Sequence, residues 1–358
     1  MRGVCIFGGH HAGYPRSAVI LAGLSRLRVP VVSCVASPRA KVIRRYTGLV
    51  RRWARIDHDF EAVFVPEFRH KDVPLAHVLA HAARVPCVFD PLVSRFDTRI
   101  HDRGDADVRG PQASHNKNLD RLSFALADLI LADTRAHADL FAEKLAPPDA
   151  LIRVLEVGYD DTVLQPEPPA SDTDTATVLF YGSYLPLHGV PLVVEAAARL
   201  RDDPRIRFEL IGDGQTRADV EHFVREQRLA NVTMTPRIPL SELPRRIAAA
   251  TVCLGIFGSS SKATRVVPNK VYQCMGMRRA VITMASRAVE ETFRVGEEIV
   301  TTPAGDGEAL AFAIRALVEN SAYRNRVAEA GGARVARDFT PTPIARRFLS
   351  YCQEVRAR

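Results

Sequence analysis

The chain has 358 residues, 47% of them hydrophobic and 25% charged. This ordinary globular composition argues against intrinsic disorder and, at roughly 150 residues per domain, predicts about two domains. The formal net charge is +8, from 49 basic and 41 acidic residues, a balance that favours anionic partners such as phosphorylated ligands. Cys5, Cys34, Cys87, Cys253, Cys274 and Cys352 show no CxxC spacing, which argues against a disulfide framework or a zinc site and for a reducing compartment.

The opening MRGVCIFGGHHAGYPRS turns polar too quickly for a signal peptide and reads as a first strand. No apolar run approaches the ~18 residues of a spanning helix, so the expectation is a cytoplasmic protein. Strand patterns follow at 4–9, 29–36, 62–66, 85–90, 129–133 and 151–158. Helix-period segments occupy 17–27, 74–83 and 118–127. Such alternation predicts parallel strands joined by helical crossovers. The charged, Gly-containing stretch 101–115 reads as a mobile loop. Segment 164–176, LQPEPPASDTDTA, has no apolar period and reads as a linker. Strands then resume at 177–182, 207–212, 232–236, 252–258 and 280–284, with helices at 191–201, 216–227, 241–250, 269–277 and 286–298. The tail 341–358 patterns as an amphipathic helix with Ile344, Phe348, Leu349 and Cys352 on one side.

In open α/β sheets ligands sit beyond the carboxyl ends of the strands, so the loops that follow strands carry the chemistry. After the strand at 177–182, Gly182, Ser183, His188 and Gly189 lead into a helix whose N-terminus suits an anion. Gly212 and Gly214 form a tight GDG turn that falls short of GxGxxG. The most informative stretch is 254–283. There Lys262 and Arg265 precede a helix opened by Pro268-Asn269, with Lys270 in its first turn. The helix dipole disfavours a cation at that end, so three cations there make sense around an anion. Glu290 and Glu291 sit early in the following helix, where they suit either sugar hydroxyls or an ordinary first helical turn. In the first half, Gly9, His10 and Gly13 lie in the loop after the first strand, and Asp90 and Ser94 follow the fourth. A carboxylate such as Asp90 in that position could orient or deprotonate a hydroxyl. Arg44, Arg45, Arg51, Arg52 and Arg55 around Trp53 read as a solvated basic helix in preference to a membrane or anionic-acceptor contact.

The order GSYLPLHG, IGDG and GIFG…PNKVYQ…AVIT resembles the retaining family 4 glycosyltransferases of the GT-B fold, clearly over 177–340 and more weakly over 1–165. The resemblance is strongest to a bacterial subgroup that writes the last block as GIFG…K..R..PNK.Y. It implies an α/β GT-B architecture of two Rossmann-like domains facing an interdomain cleft. Residues 1–165 would bind the acceptor, 177–340 would bind a nucleotide-diphosphate sugar, and helix 341–358 would pack back on the first domain. The donor would be a UDP- or GDP-sugar and no cofactor or metal would be required, so Asp172 and Asp174 are not read as a metal motif.

The acceptor implied is a small molecule, a glycolipid or a polysaccharide, with peripheral membrane contact left open. No nucleic-acid module is recognised. Against the family pattern, Ser183 and His188 replace an Arg and a Lys, Arg265 and Gln273 replace a glutamate pair, and the family's first-domain His falls near Asp90. The expectation is therefore that Lys262 and Arg265, with His188 and the backbone of Asn269–Lys270, clamp the diphosphate. Gln273 would hold the ribose, Glu291 the donor hydroxyls, and Asp90 the acceptor. The alternatives are an epimerase or hydrolase of nucleotide sugars on the same fold, or a catalytically silent nucleotide-binding partner of a transferase.

Overall fold

The computed structural model describes residues 2–10, 13–166 and 175–357, with the backbone alone at position 101. Two compact units divide the chain. Met1–Gly158 joins with Phe339–Arg358 in the first, and Tyr159–Asp338 forms the second. The border thus lies ahead of the expected linker 164–176, of which 167–174 fall outside the described residues. Residues 159–164 pack instead with the second unit. Tyr159 and Leu164 are both buried, and the Tyr159 hydroxyl donates to the Leu164 carbonyl.

The first unit is built on β1 (Gly3–Gly9), β2 (Val31–Ala36), β3 (Phe60–Val65), β4 (Cys87–Phe89), β5 (Leu129–Ala132) and β6 (Ile152–Val154). They form one parallel sheet in the order β2-β1-β3-β4-β5-β6. Its central strands are apolar on both faces because helices cover both, and β1 is buried along its whole length. The last helix, Pro341–Arg356, lies against the first, Pro15–Arg26. Contact is so close at Gly23 that an added Cβ would sit 2.0 Å from the Pro341 carbonyl oxygen. Residues 111–115, expected in a mobile loop, instead begin the helix Pro111–Ala125, with Pro111 in its first turn where a missing N–H costs nothing. A π-helical turn, Asp97–Asp102, precedes it.

The second unit holds β7 (Ala176–Ser183), β8 (Ile206–Asp213), β9 (Val232–Thr235), β10 (Val252–Leu254), β11 (Ala280–Met284) and β12 (Val300–Thr302). All are parallel, in the order β12-β11-β10-β7-β8-β9. Numbered from β7, this is the 3-2-1-4-5-6 order of a Rossmann sheet. The chain reverses direction of travel between β7 and β10, and that reversal opens a crevice at their carboxyl ends. Helix Val190–Arg199 buries Val190, Val193, Val194, Ala196 and Ala197 in the core under β7. The helix expected over 286–298 ends at Thr292. Its start is fixed by Ser286, whose hydroxyl accepts from Val289 N at 3.3 Å. Among the described residues no helix is long and apolar enough to cross a membrane.

Candidate functional site

The switch point between β7 and β10 gathers most of the residues singled out in the second half. β7 runs into Gly182, whose φ of +142° is one that side-chain-bearing residues rarely adopt. A Cβ there would lie 3.1 Å from Lys270 Nζ and 3.4 Å from His188 Cε1. The missing side chain therefore leaves room beside an ammonium group. Gly189, left-handed at φ +62°, turns the chain into helix Val190–Arg199 and presses on the backbone of Phe257 and Gly258 after β10. The loops after the two strands are thus locked together, and Thr283 pins the second of them through Ile256 N at 3.1 Å.

Lys270 is the centre of the arrangement. It enters in the first turn of helix Asn269–Gly276, is only 5% exposed, and lays Nζ 3.8 Å from the centroid of the Phe180 ring. Among the described residues Nζ has no hydrogen-bond partner. Burial pushes its pKa down to about 7. Lys262 is also buried, at the start of the short turn Ala263–Arg265, and Arg265 N donates to the Lys262 carbonyl at 3.0 Å. Helix Arg287–Thr292 packs on that turn. Gln273, one turn beyond Lys270, accepts from the Tyr181 hydroxyl at 2.9 Å, and Cys274 Sγ lies 3.7 Å from the same hydroxyl. Tyr181 is a member of the site that the sequence reading missed, because a Tyr inside a buried strand carries no polar signature of its own.

His188 departs from expectation. It closes the short turn Pro186–His188, and its Nδ1 meets the Ser183 carbonyl, which can only accept. Burial, the Lys270 charge and the Lys262 charge hold its pKa well below the usual range. The ring is therefore neutral and adds no positive charge to the expected clamp. It positions Ser183 and offers Nε2 as an acceptor. Gly212 and Gly214 serve packing as well. Cβ atoms there would strike the Gly182 carbonyl oxygen at 1.8 Å and Tyr184 N at 2.7 Å. Glu291 is exposed on its helix and accepts from Arg287 Nε at 2.7 Å.

The first unit overturns two expectations. Asp90 does follow β4, but it is fully buried and bonded by Arg16 Nε at 2.5 Å, with Leu92 N on its other oxygen. It holds the core of the fold and cannot reach a hydroxyl. Ser94 is likewise buried and donates to Asp120 at 2.6 Å. Gly9 is buried at the end of β1, where its N–H donates to Asp72 at 2.8 Å, whereas Gly13 is exposed and His10 half-buried. An open groove of about 720 Å³ runs along the amino ends of β4, β5 and β6, past Pro86, Asp128 and Leu151. It is the opposite edge from the one where ligands of such sheets bind. Among the described residues no group of three or more His, Cys, Asp or Glu is placed to hold a metal ion.

Each unit is a Rossmann-like α/β layer, and together they match proteins of the GT-B fold. Sucrose-phosphate synthase from Thermosynechococcus elongatus superposes with a TM-score of 0.73 at 16% identity, covering 99% of this chain and all of that one. Anabaena HepE in complex with UDP and glucose superposes at 0.70 and 15%, again over 99% of this chain and all of the other. In sequence, residues 175–320 match the family model described as Glycosyl transferases group 1, a span that includes every residue of the β7–β10 cluster. A D-inositol 3-phosphate glycosyltransferase of Nocardioides sp. is 25% identical over 301 residues, 75% of this chain. An alpha-D-kanosaminyltransferase of Streptomyces kanamyceticus is 27% identical over 179 residues, 49% of this chain. The chain spans 63% and 43% of the lengths of these two relatives.

Proposed function

We propose that this protein is a glycosyltransferase that moves a sugar from a nucleotide-diphosphate donor, bound by the second unit, to an acceptor hydroxyl with retention of anomeric configuration. The observation that carries the reading is Lys270, a buried amine with no hydrogen-bond partner among the described residues, facing the space that Gly182 leaves at the β7–β10 switch point. It does so inside the segment that matches the glycosyl transferase model. Holding a proton there is costly until an anion comes to it.

As the glycosidic bond breaks, negative charge grows on the departing diphosphate. Lys270, Lys262 and Arg265, with the N–H groups that open the helices at Val190 and Asn269, stabilise that charge more than they stabilise the intact donor. Side-chain cations thereby take the part that a bound metal would otherwise play in neutralising the diphosphate. Gln273, held by Tyr181, faces the ribose, and Glu291 serves the hydroxyls of the transferred sugar. The acceptor is assigned to the first unit. Retention and the absence of a required metal or cofactor rest on the resemblance of the 254–283 block to the family 4 enzymes.

UDP is the first nucleotide to try, since HepE was solved with it, and GDP the second. A melting-temperature rise with one of them, lost in Lys270→Gln, supports the site by mass action. Incubating the matching nucleotide sugar with acceptor panels and reading the anomeric coupling of the product by NMR tests the reaction. Free sugar or an epimer formed without acceptor would establish a hydrolase or epimerase instead. No nucleotide binding at all would defeat the reading.

A further inference from the structure

The carboxyl edge of the first sheet carries a second set of cations that, among the described residues, form no ion pair. β1 and β3 lie side by side at the point where this sheet reverses its direction of growth, so the loops after them border a crevice of the same kind. The loop after β3 delivers Arg69, and the loop after β4 delivers Arg95. Their backbones flank a buried pair, His70 Nε2 and Asp120 at 3.3 Å, for Arg69 immediately precedes His70 and Arg95 N donates to Asp120 at 3.1 Å. Desolvation is the main cost to each guanidinium and holds both below their usual pKa; Arg45 adds repulsion at Arg69, and Arg99 and Arg69 add it at Arg95.

The nearby carboxylates Asp72, Asp120 and Glu67 attract them but already have other partners. Asp72 is occupied by Arg45 at 2.7 Å and by Gly9 N at 2.8 Å. Asp120 is occupied by Ser94 and by the Arg95 and Phe96 amides. Glu67 is buried, accepts from Ser17 at 2.9 Å, and is pushed up to about 7, mainly by desolvation, so it is a weak counter-charge. Among the described residues neither Arg69 nor Arg95 forms an ion pair, and the buried Arg95 Nε has no partner. Arg69 extends to Gly9, where an added Cβ would meet Nη1 at 3.2 Å. Both loops also hold bulky residues in the left-handed region, Phe68 at φ +64° and Leu92 at φ +60°. Such strain persists where the surrounding fold imposes it, and it gathers at ligand clamps.

We propose that Arg69 and Arg95 bind a phosphoryl group at the carboxyl edge of the first unit, beside Gly9, and that the acceptor of this protein carries that group. Two guanidinium forks supply more parallel donors than the two oxygens of one carboxylate can use, and they suit the three terminal oxygens of a phosphate ester. The acceptor assignment rests on the transferase reading. The phosphate site itself does not.

The test is therefore made with inorganic phosphate on the full chain, with no donor present. Arginines are modified with phenylglyoxal and each modified peptide is quantified by mass spectrometry. Phosphate at about ten times its Kd leaves about one site in eleven free, so Arg69 and Arg95 should be modified about tenfold more slowly. Exposed Arg44 should be unaffected. Protection of Arg265 alone, or equal protection of Arg69 and Arg95 by acetate, would overturn the proposal. Arg69→Gln should abolish the protection of Arg95 with the melting temperature unchanged, and persistence of that protection would count against a shared site. If phosphate protects both arginines but no nucleotide binds, the phosphate site stands and the transferase reading falls.

Discussion

Both units bury ionised side chains near the carboxyl ends of a parallel sheet, but they neutralise them differently. In the first unit the deepest charges are matched inside the protein. Arg16 and Asp90 are both fully buried and joined at 2.5 Å, Arg16 Nη1 donates to the Leu155 carbonyl, and Asp72 takes Arg45 and Gly9 N. In the second unit the deepest ionisable amine, Lys270, has an aromatic ring for company and, among the described residues, no carboxylate paired to it. A closed pair serves the fold. An open one costs stability and is kept where something from solution completes it. The lesson is that depth of burial alone does not mark a functional charge; the state of its partner does.

The sharpest way to break this comparison is Asp90→Asn. It leaves the Arg16 guanidinium buried without its counter-charge, which costs about 3–5 kcal/mol and roughly 10 °C in Tm. Calorimetry showing an unchanged Tm would mean the pair is not structural. In the second unit Lys262→Ala should do the reverse. Turnover should fall by about 10²-fold or more, with the Tm within about 2 °C of the parent. Near-parental turnover would remove Lys262 from the chemistry.

A pH series sharpens the contrast, because the two units carry buried groups pushed to about 7 from opposite sides. Lys270 has a folded pKa below its unfolded value of about 10.4, so the unfolded chain binds more protons between about 7 and 10.4, and stability rises with pH across that window. Glu67 has a folded pKa above its unfolded value of about 4.3, so its contribution is present at low pH and is lost as pH rises from about 4.3 through 7. Lys270→Met should therefore flatten the alkaline slope of apo-protein stability, and Glu67→Gln the acid one. Denaturant melts from pH 4 to 10 would expose any exchange of these roles. The same logic predicts that a nucleotide diphosphate binding near pH 7.5 takes up protons, visible as a buffer-dependent calorimetric enthalpy. The smallest effect is expected of Glu291→Gln. Its partly exposed pair with Arg287 is worth under about 1 kcal/mol, so stability should hold while the donor KM rises several-fold.

The strand–helix alternation and the cation-bearing start of the helix at Asn269 were legible in the chain, because periodicity and helix-end chemistry are local. The order of strands was not, since pairing β7 with β10 joins residues more than seventy positions apart. The same limit explains Asp90. Its place after a strand could be read, but Arg16, 74 residues away, could not. The charge state of His188 could not be read either, because a neutral ring follows from burial and from two neighbouring lysines that only folding supplies. Arg69 and Arg95 looked like any other residues in an arginine-rich chain until the carboxylates around them proved to be occupied.

The helix Pro341–Arg356, seated on Pro15–Arg26 with Gly23 at the contact, bears on how the protein is made. The first unit is assembled from two segments that flank the second, which is continuous. During synthesis, then, the second unit can finish folding while the first still waits for the helix Pro341–Arg356 to leave the ribosome. Removing the segment Phe339–Arg358 should leave a first unit that is exposed to proteases, while the unit carrying Lys270 stays intact.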